Sequence, residues 1–320
     1  MTSGVSTPYL APASPAQALP PAADLAASLE RRFALLDEEF PLPAKSRTAS
    51  VRLRIRGELL STARAMRQAD GSLLETVAVE SDRTLSAIQR RLDAKEIDPR
   101  LKLHVARKTQ RVAQNSRPIK VGVYPVAGDP LHWGHLIVAL RAIGDLSLDK
   151  VVFVLAGDDP RKPTMTPVVD RHPMGRKVLN LFAPFFAYSP IAIGTQYDGE
   201  TNIFRLLALN ARLPIEAWYM VGDDHYREKD KKGNPDTLPK LEANRKVFSG
   251  GDSDLHQLKV AFIERERPTQ AVPTNLEVKF VQHAGFEASS SEVRAGNFAL
   301  VPDTVRRFAL DKGLYGLGKQ

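Results

Sequence analysis

From Pro118 onward the chain alternates short apolar runs with helical patterns, and this alternation restricts the fold more than any other feature. Residues 119–124, 151–156, 191–193, 215–221, 259–263 and 276–280 have the brevity and branched side chains of buried strands. Between them, residues 137–143, 170–186 and 202–211 read as helices. Strands and helices in alternation predict an α/β fold built on a doubly wound parallel sheet, Rossmann-like. Ligands in such sheets bind beyond the carboxyl ends of the strands, where strand order reverses. The polar motifs of this chain fall just after strands, as that rule requires.

The preceding third of the chain has a different character. Residues 1–22 are rich in Ala, Pro and Ser and cannot bury enough surface to offset ordering, so a flexible tail is expected. Residues 23–116 read as a helical unit, leaving 117–320 for the α/β domain. Leu25, Leu29, Phe33, Leu36 and Phe40 recur at helical spacing before Pro41 and Pro43. Residues 52–66 and 81–94 give two more helices, the latter with Leu85, Ile88 and Leu92 on one face, and 101–114 a fourth, basic one. These stripes are most simply core; a docking or dimerisation surface is the rival reading, which leaves homo-oligomerisation open. Residues 226–254 are polar and turn-rich, and read as a decorated surface loop rather than a lid.

A chain of 320 residues can bury a full α/β core and a smaller second unit. With no cysteine, disulfides and thiolate metal sites are excluded. No apolar run approaches the roughly 20 residues needed to cross a bilayer, and the N-terminus has no signal-peptide pattern. The cytoplasm is the expected location and no membrane partner is expected. The net charge of +8 fits an anionic ligand. Much of it is local: residues 100–120 hold seven Lys/Arg and no Asp/Glu. That tract lacks the interleaved aromatics of a base-stacking surface, so a solvated helix face is expected rather than a nucleic-acid partner.

The chemistry concentrates at Gly128-Asp129-Pro130-Leu131-His132-Trp133-Gly134-His135, between a strand and a helix. Free N–H groups and the dipole of a helix start favour an anion there. Two imidazoles at i and i+3 can donate to phosphate oxygens, and Gly134 lets a ligand approach the backbone. Zinc fits less well, because the sequence places no third ligand.

Asp129 through His135 resembles the first signature of the nucleotidyltransferase superfamily, whose members share a His-x-Gly-His turn. Ser289-Ser290-Ser291-Glu292-Val293-Arg294, about 155 residues later, resembles its second signature, Ile-Ser-Ser-Thr-x-Ile-Arg. Within the superfamily the chain is most similar to the nicotinate/nicotinamide mononucleotide adenylyltransferases. Asp159-Pro160-Arg161-Lys162, Arg171-His172-Pro173-Met174, Gly222-Asp223-Asp224, Arg267-Pro268 and the run from Val301 to Leu314-Tyr315 carry that likeness. The resemblance covers residues 118–316. It implies adenylyl transfer from ATP to the 5′-phosphate of a pyridine mononucleotide, a step of NAD biosynthesis, with Mg2+ held mainly by the substrate's phosphates. It further implies His132, His135, Lys162 and Arg294 as catalytic residues. Gly128, Asp129, Gly134, Gly222, Asp224, Ser289, Ser290 and Ser291 would bind ATP, and Arg171 and Trp133 the second substrate. The chain departs from the family at Pro125-Val126-Ala127-Gly128, where relatives carry Gly-Gly-Thr/Ser-Phe, and over residues 197–203. Another phosphate-bearing acceptor, or a nucleotide-sensing or nucleic-acid-associated protein that keeps the ATP cradle without turnover, are the alternatives.

Overall fold

The computed structural model describes residues 22–66, 71–106, 115–160, 162–195, 199–227, 229, 232–233, 236–248, 255–264 and 272–318. Apart from Ala22, the expected tail lies outside the described residues, as do Arg267 and Pro268.

Three helices come first: α1 (Ala22–Glu39), α2 (Arg47–Ala65) and α3 (Gly71–Asp93). The stripe Leu25, Leu29, Phe33 and Leu36 is buried, as its spacing requires. Helix α2 starts where the Ser46 side chain accepts from the Ala49 N–H at 3.0 Å. Helix α3 begins at Gly71 rather than near residue 81, because Leu73, Leu74, Val77 and Ala78 carry its buried stripe further back. An ionic cluster ties the three together. Asp82 of α3 accepts from Arg56 and lies 3.2 Å from Arg52, and both arginines of α2 reach Asp37 of α1 at 3.0 Å. Burial pushes the Asp82 carboxyl above its usual range, against the opposing pull of the two guanidiniums.

The α/β part then runs β1 (Ile119–Val126), α4 (Trp133–Leu146), β2 (Lys150–Leu155), α5 (Val168–Asn180), β3 (Phe186–Ser189), α6 (Gly199–Leu209) and β4 (Ile215–Gly222). It continues with α7 (Asp224–Arg227), α8 (Thr237–Phe248), β5 (His256–Glu264), β6 (Glu277–Gln282), α9 (Ser290–Arg294) and α10 (Asp303–Lys312). The strands form one parallel sheet in the order β3-β2-β1-β4-β5-β6, with Val123 of β1 level with Val152 of β2 and Tyr219 of β4. This is the expected doubly wound sheet. The chain leaves β1 in one direction and returns to its other side at β4, so strand order reverses between them.

Helices α4 and α5 cover one face of the sheet, with α10 packed against α5 and α2, and α6 and α8 lie on the other. Helix α4 is apolar all round: Leu136, Ile137, Val138, Ala139 and Leu140 are all buried. A helix of that kind must be covered on both sides. The sheet covers one side and α3 the other, with Leu85 and Ile88 joining the same apolar cluster as Ile137 and Leu140. The N-terminal helices thus form a third layer over the helix that starts at the two histidines. No described helix is long and apolar enough to cross a membrane.

Three elements differ from the sequence reading. Residues 101–106 are irregular rather than helical, and 107–114 lie outside the described residues. Their backbone bonds go to asparagine side chains instead: Asn115 bridges both main-chain groups of Lys102, and Asn210 both of His104. The strand expected at 191–193 is a turn, and the edge strand is β3, which starts at Phe186, the last residue of the stretch read as a helix. Pro184 cannot supply a helical N–H, and after it the chain pairs with β2. Last, the 226–254 stretch read as a surface loop contains α8, whose Leu238 and Leu241 reach the core. Its charged residues masked a short apolar stripe.

Candidate active site

A cleft of about 200 Å³ opens at the carboxyl ends of β1 and β4, the reversal point of the sheet. Strand β1 contributes Tyr124, Pro125 and Val126, helix α4 contributes His132, Gly134 and His135, and the end of β4 contributes Gly222, Asp224 and His225. His283, just after β6, also lines the cleft. Four of the chain's seven histidines therefore face one cleft.

The turn before α4 is shaped by its backbone. Gly128 has φ +63°, and a Cβ there would also lie 2.8 Å from Leu155. His132 is the N-cap of α4 with extended backbone, φ −121° and ψ 169°. Its N–H points to Nδ1 of His135 at 3.4 Å, and the two rings lie 3.7 Å apart, tilted by 32°. With Nδ1 as acceptor, the neutral His135 ring carries its proton on Nε2. A Cβ on Gly134 would come within 3.0 Å of the His132 ring, so glycine is what lets the rings sit together. Tyr124 meets His135 edge-on at 6.1 Å.

The second signature is folded onto this turn. Ser290 donates to the Pro130 carbonyl at 2.9 Å, and Arg294 Nη1 donates to the Asp129 carbonyl at 2.7 Å. Arg294 Nη2 donates to Ser291 Oγ at 3.1 Å, and the guanidinium stays more than a third exposed. Ser289 caps α9, accepting from the Glu292 N–H at 3.2 Å. Segments 155 residues apart thus meet at one loop.

Other expected site residues are placed differently. Asp129 is buried, and its carboxylate accepts from the Thr166 N–H at 3.1 Å and the Tyr315 hydroxyl at 2.9 Å. Through these bonds it anchors the turn. Burial pushes the Tyr315 hydroxyl well above its usual range, so the phenol stays the donor. Arg171, expected to bind the second substrate, is 0% exposed. Its guanidinium donates to the carbonyls of Ala127, Ala156, Gly157 and Thr166 at 2.6–3.1 Å, pinning the loops after β1 and β2. Trp133, expected there too, is also 0% exposed and packs in the core, so it cannot stack on a ligand. Lys162 is exposed in the turn between β2 and α5 and does not line the cleft. His225 and His283 escaped the sequence reading. His225 stood beside Asp224, after the strand at the switch point, which is a usable signal; His283 had none.

The parallel sheet thus carries the histidine turn at its switch point, with the serine–arginine segment fastened to it. In sequence the chain is similar to curated bacterial nicotinate-nucleotide adenylyltransferases. It is 25% identical to a probable enzyme of that name from Rubrobacter xylanophilus over 206 residues, 62% of this chain and 92% of that one. A Clostridium botulinum relative of the same name is 28% identical over 179 residues, 55% of this chain and 84% of its own. One from Desulfitobacterium hafniense is 32% identical over 120 residues, 36% of this chain and 56% of that relative. No protein-family model matches the chain.

Proposed function

We propose that this cleft transfers the adenylyl group of ATP to the 5′-phosphate of nicotinate mononucleotide, as a cytoplasmic step of NAD synthesis. A phosphate oxygen of the mononucleotide forms a bond to the α-phosphorus of ATP, the bond to the β-phosphate bridge breaks in line, and pyrophosphate leaves. Such transfer needs positioning and charge neutralisation more than covalent help from the protein. The observation that carries the reading is the Ser290–Pro130 and Arg294–Asp129 pair of hydrogen bonds, which fixes the second motif beside the His132/His135 turn.

His132 and His135 hold the phosphates at the reacting end, His135 by its Nε2–H, while the start of α4 adds its partial positive charge. Arg294, with Ser290 and Ser291, faces the departing pyrophosphate. Gly222 and Asp224 border the nucleotide, and Lys162 adds positive charge from outside the cleft.

Among the described residues no group of three His, Asp or Glu can hold a metal ion. Asp224 is the one carboxylate among the described residues that line the cleft, a donor set that fits magnesium carried in on the nucleotide rather than a resident ion. Bound there, the ion would offset charge on the ATP phosphates.

The test is pyrophosphate release from purified protein with ATP, magnesium and each candidate acceptor. Release with nicotinate mononucleotide is expected. Release only with nicotinamide mononucleotide, or only with a different phosphate-bearing acceptor, would overturn the substrate assignment, and nucleotide binding without release would overturn the enzyme reading. The Pro125-Val126-Ala127 stretch at the cleft wall makes the acceptor comparison worth running.

A further inference from the structure

A second and larger groove, of about 670 Å³, opens at the other end of the sheet, where the helical layer meets the segment leading into β1. Its lining is strongly cationic: Lys45 and Arg47 at the start of α2, Lys95 just after α3, and Arg100 and Arg117 before β1. Asp98 is the one carboxylate among its described lining residues. Arg100 pairs with Asp98 at 2.9 Å, and Arg117 pairs with the buried Asp149 at 2.6 Å. Arg100, with a smaller contribution from Arg47, holds the Asp98 carboxyl below its usual range, so that charge is already matched.

Lys45, Arg47 and Lys95 are left over. All three are exposed and, among the described residues, make no ion pair. Lys95 is not needed to cap α3, because the N–H groups of Lys95 and Glu96 already serve the carbonyls of Leu92 and Arg91 at 3.0 and 2.9 Å. Like charges held around one concave surface repel unless an anion joins them. The groove is lined in part by the buried Ile97 and, among the described residues, by no aromatic ring. It offers multiple cations to phosphate and nothing on which a base could stack.

We propose that this groove binds the phosphate chain of a small polyphosphate, two or more linked phosphate groups, through Lys45, Arg47 and Lys95, independently of the histidine cleft. Its volume lies in the range of small-molecule sites. Inorganic di- and triphosphates and nucleoside triphosphates share this chain, and the missing ring surface makes the chain itself the recognised element.

The experiment is calorimetric titration at low salt, with the full chain carrying His132→Ala and His135→Ala so that the cleft is disabled. Tripolyphosphate is expected to bind, and Lys45→Gln/Arg47→Gln/Lys95→Gln in that background to weaken binding at least tenfold with an unchanged circular dichroism spectrum. A matched loss of three exposed cations elsewhere, Arg31→Gln/Arg64→Gln/Lys312→Gln, is expected to change it less than twofold. ATP is expected to bind within about threefold of tripolyphosphate. Undiminished binding in the groove variant, or an equal loss in the matched variant, would overturn the site. ATP binding tenfold tighter than tripolyphosphate would overturn recognition of the chain alone. A single-stranded oligonucleotide that binds more tightly than tripolyphosphate and is lost with the groove variant would reassign the surface to nucleic acid.

Discussion

Arg141 of α4 joins Glu80 of α3 to the main-chain carbonyl of His283: one guanidinium nitrogen meets the carboxylate, and the other meets the carbonyl. The N-terminal layer is therefore tied by hydrogen bonds to a residue that lines the cleft, in addition to its packing on α4. Arg141 and Glu80 are both mostly buried, so neither charge is well hydrated without the other. Arg141→Gln should lower stability by about 1.5–3 kcal/mol, the range for hydrogen bonds to charged groups. It should also raise KM for nucleotide more than it lowers kcat, because the wall moves while α4 stays. Urea unfolding and steady-state kinetics on the same preparation check both. An unfolding midpoint equal to that of the unaltered protein would count against the bridge.

His135→Ala should reduce adenylyl transfer by about 10²–10³-fold, the usual cost of removing one donor at a reacting phosphoryl or acyl centre. The fold should survive, because the ring sits at the cleft and only half-buried. Pyrophosphate release measured beside a circular dichroism melt tests this. A variant within tenfold of full activity would remove His135 from the reacting end.

Arg171 makes the opposite expectation. Its guanidinium serves four backbone carbonyls, and burial pushes its pKa down without a carboxylate in direct contact. Arg171→Ala leaves those carbonyls without donors in a buried place, and about 3–5 kcal/mol of stability should go with them. Arg171→Lys should not rescue it, because one ammonium cannot reach groups spread around a planar fork. Thermal melting of the two variants decides this, and a lysine variant that melts with the unaltered protein would refute it.

The sheet was readable from the sequence because parallel strands are apolar on both faces, and the runs at 119–124, 151–156 and 215–221 show this without context. The histidine turn was readable because its spacing and flanks are local. Arg171 and Trp133 are buried where a ligand contact was expected, for one reason: a motif gives residue identity and not the direction of a side chain. Arg171 sits three residues into a helix whose inner side faces two loop backbones, and only the fold shows that. Helix α8 was missed because its stripe is short and lies among charges. His283 became a cleft residue only when β6 took its place in the sheet, a long-range event that local sequence does not encode.

His172 supplies a pH dependence with a definite sign. Its Nε2 lies 2.8 Å from the Ala156 carbonyl, which can only accept, so Nε2 carries the proton. Nδ1 then accepts from the Tyr188 hydroxyl at 2.6 Å, and the neutral ring is satisfied on both sides. Burial pushes the imidazole pKa below its ordinary value of 6.5, with the nearby Arg171 adding to the effect. The unfolded chain therefore binds a proton that the folded chain refuses as pH falls below that value. Stability from this group is complete above about pH 6.5 and declines on acidification, by at most about 1.4 kcal/mol per pH unit, until the folded-state pKa is passed. His172→Gln, which can donate to Ala156 but does not titrate, should be less stable at pH 8 and show a shallower loss between pH 7 and pH 5. Urea unfolding of both proteins across that range measures the slopes, and parallel slopes would show that His172 is not the group responsible.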